Sequence, residues 1–264
     1  MPDNPSPAFV LTVSGSDASG AAGLQADNRA IYAANAFPLN VVTALTLQTR
    51  EGVQSVELSS PELVRMHLVA LLNAYPVQVT KAGMLGNAGV VEVLAETLQQ
   101  YPSLRLVLDP IVEASSGRPL LDNAGVNSLV ELLVPHCYLI TPNLPELATL
   151  VGKDEIKDDD QESDAANRLI DFGCHAVLVK GGHRPEGPCV DRLYRIGEWS
   201  EFSSERISTT NNRGTGCALA SLIAGGLANG LALENSIEAG KQILTGSLEA
   251  HTGTKWPGSG PAFY

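Results

Sequence analysis

Cations are scarce in this chain, with 17 Lys and Arg against 29 Asp and Glu, a formal charge of −12. A surface for nucleic acid or for an anionic membrane needs clustered Lys and Arg, so neither is expected as a partner. Any phosphate-bearing ligand must then find its positive charge locally or bring a metal ion. No apolar run reaches the ~18 residues of a membrane span. The opening MPDNPSPAF also lacks the basic-then-apolar order of a secretory signal. A cytoplasmic location is the expectation. Cysteine is sparse too: Cys137, Cys174, Cys189 and Cys217 include no CxxC pair, which argues against both a zinc site and a disulfide framework. The histidines are dispersed with no pair at i, i+4, so a metal here is expected on oxygen ligands.

What is present is globular: 44% hydrophobic and 17% charged residues leave little room for a long disordered region. Residues 1–7 read as a loose polar tail, and 8–264 as one domain. Short apolar runs alternate with stretches of helical period. Strands are expected at 8–13, 41–47, 77–81, 104–108, 137–140 and 176–179, with 53–58 as an edge strand. A hairpin of 190–196 and 198–207 is expected around Gly197. Helices are expected near 24–34 and at 61–75, 88–99, 123–133, 165–172, 215–229 and 233–250. The charge run KDEIKDDDQESD, 153–164, reads as solvated loop and helix start. This alternation predicts a mostly parallel sheet covered on both faces, an α/β/α sandwich whose ligand lies beyond the carboxyl ends of the strands.

The most informative stretch is 209–224, TTNNRGTGCALASLIA, where a glycine-bearing turn runs into a helical pattern. Gly214 and Gly216 let the backbone press its N–H groups against a bound group, with Thr215 between them. A helix start carries unpaired donors and partial positive charge, which suits a phosphate. The same field predicts that Cys217 loses its proton more readily than a free thiol. The competing reading makes Gly-Thr-Gly an ordinary loop and Cys217 a small buried hydrophobe.

Other candidates fall at the expected carboxyl ends of strands: the turn at Gly15, Gln48, the turn at Gly83 and Met84, Asp109, Asn143 and Lys180. Gly15 and Gly20 have P-loop spacing, but Ala21 and Ala22 replace the needed Lys-Ser/Thr, which excludes that motif. Gln48 offers a donor and an acceptor to a polar heterocycle, or is a surface amide. Asn143 and Glu146 share a face if their segment is helical; they either hold a water-rich Mg²⁺ or cap the helix. Lys180, before two glycines, either meets phosphate or is a solvated lysine at a turn. Independent surface residues are not expected to gather on one sheet edge.

The segments SGSDASGAAGLQAD, VVTALTLQ, KAGMLG, DPIV, TPNLPE, VKGGH and NNRGTGCALASLIA resemble, in order and spacing, the hydroxymethylpyrimidine/phosphomethylpyrimidine kinases. These form the thiamine-pathway branch of the ribokinase-like superfamily, and the resemblance spans nearly the whole chain. It implies a ribokinase-like α/β/α sandwich and ATP-dependent, Mg²⁺-assisted phosphorylation of 4-amino-5-hydroxymethyl-2-methylpyrimidine and of its monophosphate. By this resemblance Gln48 bonds the aminopyrimidine, and Gly15, Asp27 and Met84 line its pocket. Cys217 stands at the catalytic-base position, with Gly214, Thr215 and Gly216 donating to the transferring phosphoryl group. Asn143 and Glu146 match the Mg²⁺–phosphate region, Lys180 and Lys241 match phosphate-facing lysines, and Asp109 belongs with this ATP-side group. A homodimer is implied, and the loops after Asp109 and Lys180 are lid candidates. The chain departs from the family in the Asp17–Gly23 turn, which loses a proline and a glycine, in Glu113, and in Arg213 where histidine is frequent. The alternatives are a pyridoxal kinase of the same branch, a cysteine hydrolase lacking an evident histidine base, and a non-catalytic pyrimidine- or nucleotide-binding module.

Overall fold

Nine strands join a single sheet in the computed structural model, which describes residues 7–49, 51–114, 117–182 and 187–263. The expected tail up to residue 6, Arg50, Ser115, Ser116 and His183 lie outside the described residues. The strands are β1 (Ala8–Asp17), β2 (Ala36–Thr49), β3 (Gly52–Leu58), β4 (Val79–Ala82), β5 (Arg105–Leu108), β6 (Cys137–Ile140), β7 (Val177–Val179), β8 (Cys189–Arg195) and β9 (Glu198–Ser204). Their order is β3-β2-β1-β4-β5-β6-β7-β8-β9. From β2 to β7 the pairing is parallel, whereas β3, β8 and β9 pair antiparallel at the two edges.

Among the described residues, eight α-helices cover this sheet: α1 (Gly23–Ala33), α2 (Pro61–Ala74), α3 (Ala88–Gln100), α4 (Asn123–Ser128), α5 (Leu144–Leu150), α6 (Asp159–Asp171), α7 (Thr215–Ala228) and α8 (Leu233–Ala250). The central strands are apolar on both faces because helices bury both. Leu106 and Leu108 join a cluster with Leu68 of α2, Leu94 of α3, Leu147 of α5 and Leu169 of α6. Val107, between them, joins the opposite cluster with Ile31 of α1, Ile223 of α7 and Ile237 of α8. The period-2 alternation of a strand thus divides the core into two layers.

The expected β3 edge and the β8–β9 hairpin around Gly197 are present. Three local expectations are corrected. The first strand does not end before Ser14; it continues to Asp17 because β2 is long enough to pair Gly15 with Ala44 and Asp17 with Thr46 across a bulge. The helix expected from 165 begins earlier, inside the acidic run: Asp158 caps Gln161 and α6 starts at Asp159, with Asp159, Asp160 and Glu162 in its first turn. Those carboxylates complement the positive helix end. Finally, the expected 123–133 helix holds α geometry only to Ser128 and continues as a π turn over Leu129–Leu133. No helix among the described residues is long and apolar enough to cross a membrane.

Candidate active site at the carboxyl edge of the sheet

Beyond the strand ends, the parallel ladder continues into the loops and fixes the backbone there. Gly83 N–H donates to Val13 O at 3.0 Å, Asp109 N–H to Ala82 O at 2.9 Å, Thr141 N–H to Leu108 O at 2.9 Å and Lys180 N–H to Pro142 O at 2.8 Å. Asp109 and Lys180 therefore leave β5 and β7, the strands on either side of β6, at the same edge, and Lys180 Nζ meets Asp109 Oδ1 at 2.7 Å. Glu146 Oε2 lies 3.6 Å from the same ammonium.

The first turn of α7 faces this cluster. Gly214 has φ +77°, a left-handed conformation that favours glycine. A Cβ at Gly214 would also fall on the Ala21 carbonyl oxygen, so only glycine lets the helix start seat against the turn before α1. At Gly216 a Cβ would stand 3.1 Å from Lys180 Nζ and 3.9 Å from both Asp109 carboxylate oxygens. The missing side chain leaves the helix N-terminus open toward a buried lysine–carboxylate pair.

These charges tune one another. Burial would raise Asp109, but Lys180 and Lys81 outweigh it and hold the carboxyl below its ordinary range. Burial would lower Lys180, but Asp109 and Glu146 hold it above its ordinary value. Glu146 is raised, chiefly by burial, with Lys180 opposing and Asp109 reinforcing. The expectation of an acidified Cys217 is overturned. Burial pushes the thiol up to about 12, and the carboxylates of Asp109 and Asp27 add to this, while Lys81 and the Gly23 backbone oppose it. The helix field acts on a group taken out of water, and desolvation wins.

A residue not singled out from the sequence anchors the other side. Lys81 is wholly buried on β4, with its Nζ 2.9 Å from Asp27 Oδ1. Ser221 Oγ donates to the same oxygen at 2.8 Å, one helical turn beyond Cys217. Asp27 Oδ2 and Ser14 Oγ are buried without a hydrogen-bond partner. A Cβ at Gly83 would lie 2.6 Å from Ser14 Oγ and 2.8 Å from Lys81 Nζ, so glycine leaves a polar hollow there. The signal for Lys81 was a cation at the last position of a strand expected to be covered on both faces, where it has to find a counter-ion.

Gly15 and Met84 are brought together: a Cβ at Gly15 would stand 2.9 Å from Met84 Sδ, and Thr43 Oγ1 donates to Met84 O at 2.5 Å. Gln48 stands further out along the same edge, inside β2 rather than after it, paired with Val53 at a bulge. Asn143 and Glu146 form a reciprocal capping box at the start of α5, with both hydrogen bonds at 2.8 Å. The Asn143 side-chain oxygen is thus used on the Glu146 backbone, while the other Glu146 oxygen is not part of the box. Lys241 is set apart from the Lys180 cluster; its Nζ donates to Asp191 Oδ2 at 2.6 Å and to Cys189 O at 3.2 Å. Arg213 lies 3.2 Å from Ser19 Oγ and 3.7 Å from Asp17 Oδ2, tying the loop before α7 to the turn before α1.

A mostly parallel sheet sandwiched by helices, with a glycine-flanked helix start aimed at a buried lysine–carboxylate cluster, is the arrangement of a ribokinase-like phosphotransferase. The comparisons with known proteins agree and narrow the class. The chain belongs to the phosphomethylpyrimidine kinase family, whose pattern matches residues 17–262. It is 37% identical over 257 residues to the hydroxymethylpyrimidine/phosphomethylpyrimidine kinase of Escherichia coli, covering 97% of this chain and 96% of that one. It also matches the thiamine biosynthesis bifunctional protein ThiED of Geobacter sulfurreducens at 39% identity, spanning only 49% of that protein's length. The crystal structure of phosphomethylpyrimidine kinase from Clostridium difficile superposes with a TM-score of 0.80 at 30% identity, covering 91% of this chain and 99% of that one. An ADP complex of Bacillus subtilis pyridoxal kinase gives 0.84 at 28% identity, covering 92% of each.

Proposed function

We propose that this protein phosphorylates 4-amino-5-hydroxymethyl-2-methylpyrimidine with ATP and then phosphorylates the resulting monophosphate, supplying a thiamine precursor. The observation carrying this reading is the open N-terminus of α7, with Gly216 facing the Lys180–Asp109 pair. Phosphoryl transfer needs positioning and charge neutralisation more than covalent help. The N–H groups of Gly214, Thr215 and Gly216 donate to the transferring phosphoryl oxygens, and Lys180 and Lys241 supply cations that this acidic chain otherwise lacks.

The substrate hydroxymethyl oxygen forms the new bond to the γ-phosphorus as the bond from that phosphorus to the ADP oxygen breaks. The hydroxyl proton passes to the Cys217 sulfur while the thiol's own proton passes to Asp109, the carboxylate beside it. A phosphate group that shares the Lys180 ammonium with Asp109 would make that carboxylate a stronger base. A resting thiol with its pKa near 12 is therefore compatible with a proton-accepting role at the moment of transfer.

The residues present fit a magnesium ion. Glu146 is a carboxylate whose charge is disfavoured by burial and by Asp109, and its Oε2 already lies beside one cation. Mg²⁺ keeps several waters and needs only one or two protein carboxylates beside phosphate oxygens. Glu146 would hold it, with Asn143 acting through water, and the ion supplies neutralisation of phosphate charge.

On the substrate side, Gly15, Met84, Asp27 and Gln48 form the pocket for the aminopyrimidine in this reading. Exposed Leu45 and Leu47 of β2 and Met66 of α2 support association into a homodimer. The acidic charge fits a cytoplasmic protein with small-molecule ligands and no nucleic acid partner. A pyridoxal kinase is the second reading, favoured by the fold match to that enzyme. Incubating the protein with ATP, Mg²⁺ and each of hydroxymethylpyrimidine, its monophosphate and pyridoxal, with products read by mass, tests both. Mono- and diphosphorylated pyrimidine are expected; phosphorylated pyridoxal alone would refute the first reading.

A further inference from the structure

Lys241 and the glycine turn after Lys180 come from distant parts of the chain, yet one carboxylate holds both. Asp191 of β8 is buried; its Oδ1 accepts the Gly181 N–H at 2.8 Å, and its Oδ2 accepts Lys241 Nζ at 2.6 Å. The Cys189 carbonyl takes a second Lys241 hydrogen bond at 3.2 Å. Gly181 is pressed onto β8 so closely that a Cβ there would fall on the Val190 carbonyl oxygen. On the other side of this turn, Lys180 is fixed by its N–H to Pro142 O and by its ammonium to Asp109.

Asp191 is therefore the tie between the Lys180–Gly181 turn and Lys241 of α8. Lys241 also lines a cavity of about 550 Å³ between β9 and α8, bordered by Phe202, Gln242 and Thr245. We infer that Asp191 is a positioning residue that sets the spacing of the two phosphate-facing lysines and so determines how well the triphosphate is held. This rests on the reading of Lys180 and Lys241 as ATP-side residues. Asp191 itself is an anion and does not touch phosphate; it acts through Gly181 and Lys241. A carboxylate kept beside the phosphate path is otherwise unfavourable, which is why its two oxygens are both occupied by donors.

The test is steady-state kinetics of Asp191→Asn, in which one oxygen can still accept from Gly181 but the negative charge facing Lys241 is lost. A hydrogen bond to a charged group is worth roughly tenfold or more in an equilibrium. The expected result is a KM for ATP raised about tenfold, with the KM for the pyrimidine unchanged. A purely structural residue would lower the melting temperature and the active fraction without moving the two KM values apart, and that outcome overturns the inference. Should Asp191→Asn fail to fold, Gly181→Ala displaces the same turn from β8 and is expected to show the same ATP-selective change; an unaltered KM for ATP there overturns it. Lys241→Met separates the two levels of the argument. If that variant leaves the KM for ATP unchanged, the reading of Lys241 fails; if it raises it while Asp191→Asn does not, the positioning role alone fails.

Discussion

Lys81 of β4 and Asp27 of α1 form a 2.9 Å ion pair in which neither side chain reaches solvent. Burial raises Asp27 despite this partner, whereas for Lys81 the attraction of the Asp27 and Asp109 carboxylates outweighs the burial cost and raises it. The pair sits between the turn at Gly83 and the helix that carries Cys217, so its integrity matters to both.

Removing one partner strands the other charge in the interior. Lys81→Met is expected to cost about 3–5 kcal/mol of folding stability. Lys81→Met combined with Asp27→Leu should be less destabilised than the two single changes added together. Urea unfolding of the four proteins reads this directly; strict additivity would show that the pair is not coupled.

Cys217→Ala should lower kcat by roughly 10²-fold or more, the usual scale of a lost proton acceptor, while pyrimidine binding by calorimetry is retained. Unchanged turnover contradicts the proton-accepting role. In the unmodified protein, alkylation of Cys217 by iodoacetamide should stay slow through pH 9 and rise only toward about 12, because the buried thiol keeps its proton.

A valine at Gly216 would put bulk beside Lys180 Nζ, where a Cβ is already at 3.1 Å. The helix start would then be closed to a phosphoryl group. Gly216→Val is expected to lower kcat by roughly 10²-fold, on the scale of a lost oxyanion donor. Circular dichroism should show the helix content intact, and a fully active variant would count against the anion-hole assignment.

Acid should weaken the site through Asp109. Its carboxyl is held below the ordinary 3.8, so the pair with Lys180 contributes stability above that value. The contribution is lost as pH falls through the lower folded pKa. Asp109→Asn should flatten the acid limb of a stability-versus-pH curve below pH 4, measured by thermal melts; an unchanged limb would mean that other carboxylates govern it.

Much of this architecture was legible from local pattern. Apolar runs bounded by turns placed the strands, and the order of candidate residues along the chain put Asp109 and Lys180 on one sheet edge, because successive parallel strands end on the same side. Gly214 and Gly216 marked the helix start for a reason visible in the letters alone: only glycine offers that backbone freedom and that lack of bulk. The family resemblance supplied the chemistry those residues serve.

Partner choice and charge state were different, since they depend on which groups meet after folding and on how much water is left around them. Lys81 read only as the end of a strand and Lys241, by the family resemblance, as a phosphate-facing lysine; the partners Asp27 and Asp191 that hold them came from packing. The proton on Cys217 was set against the helix field by burial, a quantity no window of sequence contains. Position along the chain thus followed from short-range sterics and periodicity, whereas protonation and pairing were decided by long-range packing that excludes water and brings remote charges within a few ångströms.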